Sequence, residues 1–421
     1  MSRPSALMRE ASLLRRDRGF LTWVCVVLAL AAIAVISGLN EVAHQRATLA
    51  KLLDADREDR EVALAKQSDW GSAAYYSFHL TYDPPSEFAF AALGRRDQDP
   101  WKHRVRMLAL EGQIYERDVG NPVLALIGRF DYAFFAAFVL PIVLIVLLHD
   151  LHASERSAGR HGLLVTTAGK TSRPWRMRAL LRSAAVFFAA VLPLLVVSLN
   201  TGVSLLTTTI AVSALLSYVG LWTVLCTWIA SKERSAEVLL AFSLGIWMLV
   251  AVILPAGAKV TIDRLAPVPS GADITLTQRE AVNDAWDLPK ATTMDAFIKR
   301  HPEWTEYTEM SRPFEWKWYY AFQQVGDQST EALSGAYRQG RIERDRLAAI
   351  AAWLSPPALL ERVFQRLANT DIKASLVYEA EVRSFHAQLR AFFYQKMFRE
   401  RPYDKAALES LPEFAPSGTT L

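Results

Sequence analysis

Cysteine is almost missing: 421 residues include only Cys25 and Cys226, both inside apolar stretches. No disulfide framework can staple the polar parts of the chain. Both thiols read as buried, because a reactive thiolate needs an electropositive, accessible setting. Charge is scarce in three places: residues 20–39, 130–149 and 180–258 are nearly free of it, while the rest is as polar as a soluble protein. Histidine is sparse, with eight scattered copies. The nearest approach to a metal pair is His149-Asp150-Leu151-His152, two imidazoles on one helix face without a Cys or further His beside them. It reads as a solvated helix end rather than a site. There is no phosphate-cradling G-x-x-x-x-G-K-S/T loop, G-x-S-x-G elbow or H-E-x-x-H pair. These absences exclude ATP hydrolysis by such a loop and point to no catalytic residue, metal or cofactor. A basic groove with interleaved aromatics is also lacking, which argues against nucleic acid as a partner.

What is present is apolar length. A helix needs about 20 apolar residues to cross roughly 30 Å of hydrocarbon. Five stretches qualify, at 20–39, 130–149, 180–200, 203–230 and 237–257. The first follows Arg15, Arg16 and Arg18 but is too long for a signal-peptide core, so it reads as an uncleaved span. Pro141 lies inside the second, and Asn200-Thr201-Gly202 turns the third into the fourth. The stretch 347–360, broken by Pro356-Pro357, is too short to cross and reads as a buried or interfacial helix. The expected fold is an all-α integral membrane protein with five spans and a mainly helical extracytoplasmic cap.

Orientation follows from Lys/Arg asymmetry. With the N-terminus inside, the cytoplasmic pieces 1–19, 150–182 and 231–237 hold 14 Lys/Arg against 6 Asp/Glu. The outer pieces, counted with Asp131 at the start of the second span, hold 33 Lys/Arg against 37 Asp/Glu. The C-terminus is then outside, and segments 40–129 and 258–421 share one side of the membrane and are expected to pack as a single cap.

Within the first outer segment, residues 40–68 lack Gly and Pro and read as a helix continuing out of the first span. Residues 70–101 are too rich in aromatics and proline for one regular element, and 104–116 fits helix or strand equally. Helical pattern dominates 329–398 in the second segment. Trp304, Trp316, Trp318, Tyr319 and Tyr320 read as a small-domain core or as interface anchors. Residues 2–18 fit either an amphipathic helix on the inner membrane surface or a basic tail.

The most informative segment is the loop at 150–179. It contains Glu155, Arg156, Gly159, Gly162, Leu163 and Leu164, then Pro174. A short helix with basic and apolar residues, bounded by glycines between two spans, can transmit force from a cytosolic motor. It can equally be an ordinary positive-inside loop.

At these residues the chain resembles the permease subunits of type-2 ABC transporters, whose loop after the second span runs approximately E-R-x-x-G-T-L-x-x-L-L-x-x-P. Other patches resemble the branch of multicopper-enzyme-maturation-like permeases with a large outer segment. They are Pro84-Pro85, Leu93-Gly94-Arg95-Arg96-Asp97 with Pro100, and Asn121-Pro122. Further along come Gly128-Arg129-Phe130-Asp131, Phe134-Phe135 with Pro141, Leu354-Ser355-Pro356 and Ala368-Asn369-Thr370-Asp371. That branch closes with a sixth span, whereas this chain ends at about the place where one would begin.

The resemblance implies a subunit of the bacterial inner membrane that couples a separate cytosolic ATPase to export or to movement of the cap, and is not itself an enzyme. Glu155 and Arg156 would be polar contacts to that ATPase, Leu163 and Leu164 apolar ones, with Gly159 and Gly162 shaping the loop. The other implied partners are a second permease subunit, identical or not, and membrane lipid. The competing expectation is a non-transporting anchor or assembly protein whose outer domain holds a partner.

Overall fold

The computed structural model describes residues 6–115, 130–168 and 173–417. Five helices are long and apolar enough to cross a membrane: Arg18–Ala65, Tyr132–Ser157, Pro174–Asn200, Leu205–Ala230 and Ala236–Leu265. The chain is a multi-pass helical membrane protein, and among the described residues the polar remainder is mainly helical with one two-stranded ribbon.

The first span and the segment after it form one helix of 48 residues, as the Gly- and Pro-free run from residue 40 predicts. Asp17 starts it, its carboxylate accepting the Phe20 N–H at 3.1 Å. Two prolines of the bundle are matched by hydroxyl donors from neighbouring helices. Pro141 has no N–H for the carbonyl of Ala137, four residues back, and that carbonyl accepts the Tyr218 hydroxyl of the fourth span at 2.5 Å. A wide π turn over Leu249–Ile253 precedes Pro255 in the fifth span. The Val250 carbonyl inside it accepts the Ser355 hydroxyl at 2.7 Å.

That last bond explains the short stretch at 347–360. The helix Glu331–Ala351 descends from the cap, turns through Ala352–Leu354, and returns as the helix Pro356–Leu367. Leu360 and Phe364 enter the same apolar core as the spans, while Ile350, Trp353 and Leu354 stay exposed. The stretch is thus buried on one flank and exposed on the other.

The cap joins the described parts of segments 40–129 and 258–421. Residues 70–101 break into the helix Trp70–Tyr76, the strand β1 (His79–Tyr82) and two short 3-10 turns. β1 pairs antiparallel with β2 (Lys102–Val105) in the register His79 to Val105. The ambiguous segment 104–116 is therefore both things, the end of a strand and then the helix Leu110–Tyr115. Trp304, Trp318 and Tyr320 are buried in a second apolar core with Trp70, Phe322 and Phe398. The aromatic cluster is a domain core.

Three sequence patches hold cap and bundle together. The Thr370 carbonyl accepts the Arg95 N–H at 2.9 Å, and the Thr370 hydroxyl donates to Ala92 O at 2.9 Å. Gly94 takes a positive φ of 53° there, and a Cβ would lie 2.7 Å from Thr370 O. Asp131 starts the second span by accepting the Phe134 N–H at 2.9 Å and also accepts the Leu93 N–H at 2.9 Å. Arg96 closes the joint, donating to Gln45 at 3.0 Å on the first long helix and to Asp83 O at 2.6 Å. Asn121-Pro122 and Gly128-Arg129 lie outside the described residues.

Two cap histidines are buried uncharged. The Nε2–H of His386 donates to Arg106 O at 3.1 Å, and His79 packs edge-on against Phe385 at 5.7 Å. Burial, with Arg60 near His79 and Arg390 near His386, holds both imidazoles below the ordinary range, His79 down to about 3. As pH falls below the ordinary value of 6.5, the unfolded chain takes up protons that the folded cap refuses. Each group then withdraws about 1.4 kcal/mol of stability per pH unit. The melting temperature of the detergent-solubilised chain is expected to fall between about pH 7 and about pH 5. His386→Gln, which retains a donor for Arg106 O, should flatten that slope. An unchanged slope would show that acid acts elsewhere.

Candidate functional site

The loop between the second and third spans consists of two short helices, Ala153–Ser157 and His161–Ala168. Gly159 ends the first with a φ of +70°, a conformation that costs other residues roughly 1–2 kcal/mol. The bonds Gly159 N–H to Arg156 O at 3.0 Å and Arg160 N–H to Glu155 O at 3.0 Å close the turn. The second helix leads toward Arg173–Asn200, which carries the third span, and residues 169–172 between them lie outside the description.

Glu155 is buried and fully engaged within the chain. Its two carboxylate oxygens accept from Arg178 Nη1 at 2.7 Å and Arg160 Nε at 2.8 Å. Arg178 in turn donates from Nε to Glu10 at 2.8 Å, on the helix Ala6–Leu14. One guanidinium thereby bridges the N-terminal helix, the loop and the base of the third span. Arg156 points elsewhere, donating from Nη2 to Lys232 O at 2.9 Å and Arg234 O at 3.0 Å. It ties the loop to the turn between the fourth and fifth spans. Arg182 adds a bond from Nη1 to Leu147 O at 2.5 Å.

The aromatic support is equally local. His152 stacks on Trp175 with ring centres 4.5 Å apart, and His161 leans on the same indole at 5.3 Å. His149 instead places Nδ1 2.9 Å from Val146 O, so the two imidazoles of the His-x-x-His spacing serve different partners. Among the described residues, no group of three or more His, Cys, Asp or Glu is placed to hold a metal.

Leu163 and Leu164 diverge. Leu164 packs against the bundle core, whereas Leu163 is 68% exposed. Gly162 has nothing within 4 Å of where a Cβ would stand, so the fold itself leaves room for a side chain there. Gly159 and Arg160 are exposed as well. The outward face of the loop is therefore Gly159, Arg160, Gly162 and Leu163, and Glu155 and Arg156 are braces behind it. Sequence reasoning missed Glu10, Trp175 and Arg178. The nearest of these to Glu155 is 20 positions away and no spacing rule links them.

Residues 273–417 match a domain of unknown function, DUF3526. The DUF3526 match begins after the last span and covers the second segment of the cap with the descending hairpin. No curated protein and no solved structure matches the chain.

Proposed function

We propose that this chain is the membrane-spanning permease subunit of an ABC transporter, receiving force on its 155–164 loop from a separate cytosolic ATPase. The observation that carries this reading is the pairing of an open contact face with a base that has no slack. Leu163 and Gly162 face outward, and directly behind them Arg178 and Arg156 fasten the loop to the N-terminal helix, the third span and the turn between the fourth and fifth spans. A push on such a face moves several helices together. The excess of Lys and Arg on this side supports a cytosolic position, with the cap and the C-terminus outside. The cap sits on the same helices, so tilting of the bundle would drive export or movement of the cap. A second permease subunit completes the assembly in this reading.

The test is affinity purification from native membranes, with retained proteins identified by their G-x-x-x-x-G-K-S/T loop. Leu163→Asp and Gly162→Trp are expected to lose at least about tenfold of the ATPase, about 1.4 kcal/mol of binding, without a change in melting temperature. Retention of the ATPase in both variants, or its absence from the wild-type preparation, would defeat the assignment. A non-transporting anchor predicts instead that the cap performs its role with the ATPase gene deleted.

A further inference from the structure

Between the helices Trp316–Ser329, Glu331–Ala351 and Ile372–Met397 the cap forms an open cavity of about 650 Å³. That volume lies in the range of small-molecule sites, ~300–1,000 Å³. The coupling reading does not use it. Trp304 and Tyr394 form an apolar wall, both nearly buried.

The charged groups around the cavity come in opposed pairs. On its inner side Arg390 Nη2 meets Asp327 Oδ2 at 2.6 Å, and Arg383 grips Glu111 with bonds of 2.8 and 3.0 Å. At the mouth Arg300 pairs with Glu331, both more than half exposed. A cavity balanced in this way suits a solute without net charge, because a net ion would meet no surplus counter-charge.

Hydrogen-bonding capacity is nevertheless left over. Gln328 Nε2 and Gln324 Oε1 are shut off from solvent and have no hydrogen-bond partner. Leaving such a group unsatisfied costs about 1–3 kcal/mol. Both belong to residues lining the cavity, and terminal amides turn about a soft last torsion. One supplies N–H donors and the other a carbonyl acceptor, the complement of a peptide unit. Arg338, a third of its side chain exposed, reaches Ser334 Oγ only at 3.5 Å and Glu111 only at 3.8 Å. It is a loosely held cation able to take a carboxylate. Glu303, which accepts from His301 Nδ1 at 3.1 Å, and Glu331, paired with Arg300, also line the cavity, and each has a second carboxylate oxygen for an ammonium.

We propose that this cap cavity binds a small zwitterionic solute of dipeptide size, its amide between Gln324 and Gln328, its carboxylate on Arg338 and its ammonium toward Glu303 and Glu331. The inference does not depend on ATPase coupling, and its test uses the full chain in detergent without ATPase or nucleotide. Calorimetric titration with Ala-Ala is expected to show saturable binding below millimolar concentration. Arg338→Gln should weaken it at least about tenfold, about 1.4 kcal/mol, with the melting temperature unchanged. Glu331→Gln, at the exposed mouth, should weaken it too, as should capping both peptide ends. Absence of heat at millimolar Ala-Ala overturns the proposal. So does equal binding of maltose or of the capped peptide, or wild-type affinity in both variants.

Discussion

Asp327→Ala is expected to destabilise the cap by about 3–5 kcal/mol, the range for stripping one partner from a buried ion pair. The carboxylate gathers donors from three parts of the chain. It accepts the Leu110 N–H at 2.7 Å and the Glu111 N–H at 3.1 Å, which start the helix Leu110–Tyr115. It also accepts Gln278 Nε2 at 2.6 Å and Arg390 Nη2 at 2.6 Å. Alanine leaves a guanidinium buried without its counter-ion and two helix-start N–H groups without an acceptor. Asp327→Asn keeps an acceptor and should cost less than Ala. The measurement is thermal melting of the full chain, and an Ala variant as stable as wild type would mean that the cap is not held together here.

Gly38→Ala is expected to cost about 3 kcal/mol through overpacking, although alanine is ordinarily the better helix former. At Gly38 the first long helix passes against the turn Ala89–Ala91, and an added Cβ would stand 1.9 Å from the Phe90 carbonyl oxygen. The obstacle is backbone on both sides, so no side-chain rotation can relieve it. Gly220 and Gly245, also within spans, have nothing within 4 Å of a Cβ. Gly220→Ala and Gly245→Ala should therefore leave stability unchanged or slightly raised. If all three variants melt alike, the close approach at Gly38 does not exist in solution.

The same contrast separates what could be read locally from what could not. The end of the first span was readable because Gly- and Pro-free sequence continues past the membrane, and the helix does run on to Ala65. The Leu93-Gly94-Arg95 and Ala368-Asn369-Thr370-Asp371 patches were visible as separate features. Their contact, through Gly94 and Thr370, joins positions 276 residues apart. The resemblance of their loop to E-R-x-x-G implies that Glu155 and Arg156 are outward polar contacts. The partners that turn them inward, Arg178 and the carbonyls of Lys232 and Arg234, come from other helices.

By itself the sequence determined five helices long and apolar enough to cross a membrane and a mainly helical, disulfide-free polar remainder. Hydrocarbon imposes its demand on consecutive residues, so a run of apolar side chains already contains the answer. Only the tertiary structure decided which loop residues are braces and which face outward, how the cap is fastened to the bundle, and that the second cap segment lines an open, charge-balanced pocket. A buried charge or an unspent donor is defined by what lies within about 3 Å of it, and in a folded chain those neighbours come from anywhere along its length.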